Sequence, residues 1–326
     1  MASDLGRQIA YGIGKETVAG TPVSVSNWIN QLSFEVAPKT EYAQNTSAYG
    51  VIERVNDSTP LRSWVEGDLE AKLTDKTGGL VLLGAFGSVS TAANADASGT
   101  VKDHTFTINQ DIVGKTFTLI RKDTVSTRRY AACRFGEWEL SMELGDYIKY
   151  TAKVMGKAGE ATTATVAYTD ETEFTPKHMT VKTATTVGGL GAALNIATLE
   201  SFTLNVNPNI EADNEAGSAT PYAFTGRGYE MSFEMTTRYV GTTYEDAFNA
   251  GTALALEITA SNTDVTIGTS ARPKFVFTAP KIKITDWSRT EDNDAPTTQT
   301  MTGTIHFSPA DVYALRAVLT NLQTAY

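Results

Sequence analysis

Apolar and polar residues alternate along much of this 326-residue chain. The clearest case is Glu137-Trp138-Glu139-Leu140-Ser141-Met142-Glu143-Leu144, in which every apolar side chain falls on one face and every carboxylate on the other. Successive side chains of an extended strand point to opposite faces, so this segment predicts a strand that is dry on one side and wet on the other. After a turn at Gly145-Asp146, Ile148, Tyr150, Ala152 and Val154 alternate with Tyr147, Lys149, Thr151 and Lys153, which predicts the partner strand of an antiparallel hairpin. The same alternation sets Leu32, Phe34 and Val36 against Ser33 and Glu35, and Val65, Gly67, Leu69, Ala71 and Leu73 against Glu66, Asp68, Glu70 and Lys72. It returns at Phe202, Leu204 and Val206, and again at Met231, Phe233 and Met235. Between Thr77 and Phe86 the period changes: Leu80, Leu83 and Phe86 fall three apart, as on one side of a helix. Further strands are expected near 104–109, 115–121, 129–135 and 179–183. Residues 88–100, small and polar, read as a flexible loop, and the unpatterned stretch from Pro38 to Arg62 reads as a loop too long for an ordinary hairpin. Ser308-Pro309-Ala310-Asp311 carries the signals of a helix start, and Val312, Leu315, Leu319 and Leu322 extend it as one stripe, predicting a C-terminal helix.

These elements come twice, in one order. Ser33–Pro38 is answered by Thr203–Pro208 at a spacing of 170, and Leu69–Thr74 by Met231–Thr236 at 162. Ala85-Phe86 is answered by Ala247-Phe248, and Arg134–Trp138 by Lys283–Trp287 at 149. The expected organisation is therefore an N-terminal arm (1–29), a first domain (30–157), a linker with an accessory strand (158–198), a second domain (199–307) and the C-terminal helix (308–326). The fold class is mainly β, with two tandem sandwich or partial-barrel domains, each carrying a short helix.

Composition narrows the function by exclusion. At 41% hydrophobic residues the chain has enough apolar material for a core, and no run approaches the ~18 residues of a membrane span. Met1–Gln8 lacks the basic and apolar regions of a signal peptide. The lone Cys133 excludes an internal disulfide and fits synthesis in a reducing cytoplasm. A net charge of −10 repels nucleic acid, which clustered Lys and Arg would grip. His104, His178 and His306 stand alone, so no metal site is expected, nor any cofactor. No nucleophile elbow, phosphate loop or dinucleotide fingerprint occurs, and the carboxylates lie in alternation along strands, the pattern of a solvated face. The chain reads as structural, not catalytic.

Ile13-Gly14-Lys15-Glu16-Thr17-Val18-Ala19-Gly20-Thr21-Pro22 resembles the N-terminal segment of tail tube (major tail) proteins of long-tailed bacteriophages. So do the helix through Leu80–Phe86 and the hairpin ending Ala152–Lys157. The resemblance implies β-sandwich units that assemble in stacked rings, usually of six subunits, around a lumen that passes the genome. Two copies in one chain resemble the variant in which a fused dimer forms trimeric, pseudo-sixfold rings. It further implies a place in the virion tail, with a tail terminator, a tape measure and tail tip proteins as partners, DNA passing without specific binding, and no membrane. A baseplate protein, a capsid decoration protein or a bacterial secretion-tube-like protein is the alternative.

In such a barrel the wet side of the inner strands is the channel. Glu35, Glu66, Asp68, Glu70, Glu137, Glu139 and Glu143, with Glu230, Glu234 and Asp286, are then the expected lumen lining, joined by Lys72, Lys149 and Lys153. The long segment Pro38–Arg62, with Tyr42, Asn45, Tyr49 and Glu53, and its shorter counterpart Asn209–Thr225 are the expected contacts between rings.

Overall fold

The alternating segments fold as antiparallel strands, and the computed structural model describes residues 5–326. In the first half these are β1 (Ala10–Lys15), β2 (Asn27–Trp28), β3 (Gln31–Asn45), β4 (Asp57–Lys72), α1 (Thr77–Phe86), β5 (Gly87–Ala93), β6 (Lys102–Ile108), β7 (Phe117–Lys122), β8 (Thr127–Glu143), β9 (Lys149–Lys157) and β10 (Glu160–Ala161). In the second half they are β11 (Met179–Ala184), β12 (Leu199–Asn207), β13 (Ile210–Asp213), β14 (Ala223–Gly226), β15 (Glu230–Arg238), α2 (Thr243–Ala250), β16 (Leu254–Ser261), β17 (Lys274–Thr290), β18 (Thr298–Ile305) and β19 (Arg316–Asn321). The fold is mainly β.

Eight strands form a continuous inner sheet in the order β3-β4-β9-β8-β12-β15-β18-β17. The first four and the last four repeat one ladder. Phe34 faces Leu69 and Leu69 faces Ala152, as Phe202 faces Met235 and Met235 faces Met301. Ala152 in turn faces Trp138, as Met301 faces Trp287. Two bulges recur at matching places: one between Gln31 and Ser33 and between Leu199 and Ser201, the other just before Trp138 and just before Trp287. A bulge adds an unpaired residue and turns the strand locally, so matched bulges impose matched curvature. The ladders set Phe34 against Phe202 and Leu69 against Met235. The spacings are thus 168 and 166 rather than the 170 and 162 read from sequence, while the 149 of the Trp strands stands.

The long strands β8 and β17 each serve two sheets. The first part of β8 pairs with β7 and β10, and β7 carries β1; the first part of β17 pairs with β16, which carries β11. Ala10–Lys15 is therefore not a free arm. It pairs along its whole length with β7, and Tyr11 and Ile13 are buried. Helix α1 packs against β8 and α2 against β17. Between these layers lies one apolar cluster shared by both halves: Trp138 of the first sits 5.7 Å from Phe277 of the second, and Phe277 stacks on Phe275.

Three local expectations are corrected. The C-terminal helix is absent: Ser308 does hold the Asp311 amide, but the turn stops at Val312, which has φ 65, and Arg316–Asn321 is the strand β19 between β17 and β6. Leu315, Ala317 and Leu319 are buried at period two while Val312 and Leu322 are exposed, so a two-sided ladder overrides the helical spacing. Residues 88–100 are not all loop, because Gly87–Ala93 pairs with β6. The Pro38–Arg62 segment is a paired ribbon, not a loop: β3 and β4 run on as a hairpin from Thr40/Ser63 to Asn45/Asp57, about 20 Å beyond the last residue that β9 covers. Its counterpart is the small hairpin β13–β14.

Close packing of α1 on β8 yields a test. A Cβ built at Gly84 would stand 2.3 Å from the ring of the fully buried Phe135. Gly84→Ala should lose about 1–3 kcal/mol in urea denaturation despite the better helix propensity of alanine; an unchanged or raised midpoint would contradict this packing.

Candidate functional site: the polar face of the inner sheet

Register, not proximity in sequence, assembles this face. Glu35 is paired with Asp68, Asp68 with Lys153, Glu70 with Thr151, Thr151 with Glu139 and Glu139 with Asn205. The line continues through Asn205 with Ser232, Asn207 with Glu230, Thr203 with Glu234, Glu234 with Thr302, and Thr302 with Asp286. Glu66, Glu137 and Glu143 fall on the same side by the alternation of β4 and β8. All ten carboxylates singled out in the sequence thus share one face of eight strands, and each is at least partly exposed. Their apolar neighbours, Leu69, Trp138, Leu140 and Phe233, are buried on the opposite side.

The face is concave. Glu35, Glu66, Asp68, Glu137, Lys153 and Asn207 contribute to one hollow of roughly 1470 Å³. A second, of roughly 660 Å³, continues across Glu139, Asn205, Glu230, Glu234 and Thr302.

Charge is uneven across it. The first half holds Glu35, Glu66, Asp68, Glu70, Glu137, Glu139 and Glu143, whereas the second holds Glu230, Glu234 and Asp286 among Thr203, Asn205, Ser232, Thr300, Thr302 and Thr304. Lysines interleave: Lys153 Nζ lies 2.6 Å from Glu137, Lys149 3.7 Å from Glu70 and Lys39 3.8 Å from Glu66. Lys72 instead reaches Glu173 at 3.0 Å and lies over the Tyr147 ring. Lys39 and Lys283 were missed in the sequence, although Lys39 follows Glu35 at strand spacing and could have been found that way.

Glu137 is the best-held carboxylate. Lys153 Nζ donates to its Oε2 at 2.6 Å and Asn205 Nδ2 to its Oε1 at 2.8 Å, so one bond crosses from the first half to the second. The lysine first, then the amide, hold the Glu137 carboxyl below the usual glutamate range, and Glu137 keeps Lys153 protonated to higher pH.

The expected inter-ring residues gather at the far end of the β3–β4 ribbon. Tyr42, Asn45, Tyr49 and Glu53 are all exposed. Asn45 turns inward to its own loop, accepting from the Ser47 amide at 3.1 Å. The stretch has no alternating pattern, so Val51, Ile52 and Val55 gave no signal in the sequence; Ile52 is fully exposed at 101%. Beside the ribbon, the Ser63 amide donates to Ala219 O of the second hairpin at 2.9 Å. Buried Arg134 ties that hairpin to the first half, donating from Nη1 to Ile112 O and Phe224 O at 2.7 and 2.9 Å.

The histidines are used structurally. His104 is buried between Thr91 and Asn321, and His178 contacts Asp264 at 3.2 Å. Among the described residues no group of three or more His, Cys, Asp or Glu is arranged to hold a metal ion, and no helix is long and apolar enough to cross a membrane.

The phage tail tube protein family matches residues 6–309, nearly the whole chain. None of the curated proteins compared with the chain matches it. The chain belongs to the phage tail tube protein family: it is a structural subunit of the virion tail, one that self-assembles into a tube with other tail components.

The Glu137 bonds define a pH test. Because its folded-state pKa is depressed, the carboxylate contributes stability in full above the unfolded glutamate value near ~4.3, and the contribution is lost as pH falls through the lower folded value. Both side chains are partly in solvent, at 33% and 63% exposure, so Glu137→Gln should cost under ~1 kcal/mol at pH 7. Urea titrations should show this difference at pH 7 and a progressively smaller one as pH falls below the unfolded value; a difference that grows on acidification would contradict the assignment.

Proposed function

We propose that the chain is two tandem copies of one tube-building unit, and that three chains close into a ring of six such units. The observation that carries this is the ladder β3-β4-β9-β8 repeated, with two bulges at matching places, as β12-β15-β18-β17 and laid beside it in one sheet. A sheet with two free edges is a hazard unless it closes, and closure in a ring removes both. Eight strands per chain give 24 per trimer. At ~4.8 Å between strands and ~40–45° of tilt, the barrel is roughly 50 Å across at the backbone. Side chains then leave a bore of about 40 Å, wide enough for a DNA duplex with a water layer.

The concave polar face, with Glu35, Glu66, Asp68, Glu70, Glu137, Glu139, Glu143, Glu230, Glu234 and Asp286, is the bore. A mainly acidic wall repels phosphates at short range, so DNA slides without the adhesion of a basic groove. At physiological salt this repulsion reaches about 8 Å and sets no long-range barrier. The β3–β4 ribbon is the contact between successive rings: its exposed Tyr42, Tyr49, Val51 and Ile52 form an apolar tip that a neighbouring ring would cover. The tail terminator, tape measure and tail tip proteins meet the ends and interior of this tube.

Deleting residues 42–58 separates ring from tube. The deletion leaves every pair between β4 and β9 in place, so the protein should fold and form rings of three shortened chains in native mass spectrometry, but no tubes by electron microscopy. Normal tubes from this variant would overturn the role of the ribbon, and rings of six chains would overturn the trimer.

A further inference from the structure

One seam between two units is already built inside the chain. Strand β8, at the end of the first ladder, pairs with β12, at the start of the second: Trp138 faces Val206, Glu139 faces Asn205, Leu140 faces Leu204 and Ser141 faces Thr203. The strands that hold the same places at the outer ends of the sheet are β17 and β3. Each has a free edge, since β17 beyond Ile282 pairs with β18 alone and β3 pairs with β4 alone among the described residues.

Given the ring proposed above, we infer that β17 of one chain pairs antiparallel with β3 of the next in the register of the internal seam. The matched bulges fix the transfer. Trp287 occupies the ladder position of Trp138, and Phe34 that of Phe202. Moving the internal pairs by those spacings sets Trp287 against Pro38, Ser288 against Ala37, Arg289 against Val36 and Thr290 against Glu35 of the next chain.

Three features of the free edges fit this partner. First, Trp138 is 1% exposed while Trp287, at the same ladder position, remains partly exposed. What Trp138 has and Trp287 lacks is a strand on its far side. Second, the core-facing position that holds Leu140 at the internal seam holds Arg289 at the edge, and Glu291 follows just past the end of β17. These two are ion-paired, and the Arg289 guanidinium lies 4.9 Å from the Tyr239 ring. A charge at an inward-facing edge position discourages indiscriminate pairing before assembly, which an edge that waits for one partner requires. Third, the internal ladder ends at Val206, whose counterpart on β3 is Pro38. A proline has no amide to donate, and the end of a seam is where its absence costs least. The partner is therefore a second copy of this chain, held through main-chain bonds.

Disulfide trapping reads the register. Directly opposed residues bring their Cα atoms within disulfide range, whereas a slip of two residues moves the Cβ atoms to about 7–8 Å. The buried native Cys133 is left in place. Oxidised tubes of Ala37→Cys/Ser288→Cys should run as covalent multimers on a non-reducing gel, and those of Ala37→Cys/Thr290→Cys should stay largely monomeric. Glu35→Cys/Thr290→Cys samples the same register with a second pair and should also cross-link, while each single variant should assemble without cross-linking. If tubes form and the slipped pair is trapped instead, or neither opposed pair is, the seam is wrong and the ring stands. If the unsubstituted chain gives neither rings nor tubes, the ring reading fails and the seam falls with it.

Discussion

The ladder between Trp138–Glu143 and Ser201–Val206 is the interaction on which the rest depends. Without it the chain is two four-stranded sheets; with it, eight strands share one wet face and one dry face. Nothing in the ladder is sequence-specific, because main-chain bonds form between any two strands of matched twist. Specificity comes from what the faces bury: Trp138, Leu140 and Met142 on one side of the seam and Val206, Leu204 and Phe202 on the other, all at most 3% exposed. Glu137 bonded to Asn205 closes the wet side of the same seam.

The long strands turn this sheet into a wall with a back. By starting in the outer layers and entering the inner sheet around their bulges, β8 and β17 join the two layers, and β1 and β11 pair in the outer one at corresponding places. The first half also sends the β5–β6 hairpin onto β19, so the outer layer of the second half is completed by the first. Shared packing of Trp138 on Phe277 joins the halves again in the core.

Much of the inner sheet was legible because its two faces differ. Glu137–Leu144 alternates so strictly that both its burial and its wet partners could be read directly, and the ten carboxylates do share a face. The register errors have one physical origin. A period of two cannot detect a slip of two, since every side chain keeps its face, and so β3 and β4 were matched to their counterparts two and four residues away. The Trp strands were matched in register because a large side chain beside a bulge marks one position. The β3–β4 ribbon is exposed on both faces and carries no alternation at all, so a paired structure looked like a loop. At the C-terminus Leu315 and Leu319 satisfy either helix or strand spacing; only the free edges of β17 and β6, distant in sequence, decide between them.

An electron cryomicroscopy map of tubes assembled from the purified chain addresses the central claim most directly, that this sheet is one-third of a closed wall whose acidic concave face is the bore. The account predicts three chains per ring, 24 inner strands without a gap, and Glu35, Glu70, Glu139 and Glu234 pointing into the lumen. A map with these carboxylates on the outer surface, or with the inner sheets of neighbouring chains unpaired, would contradict it.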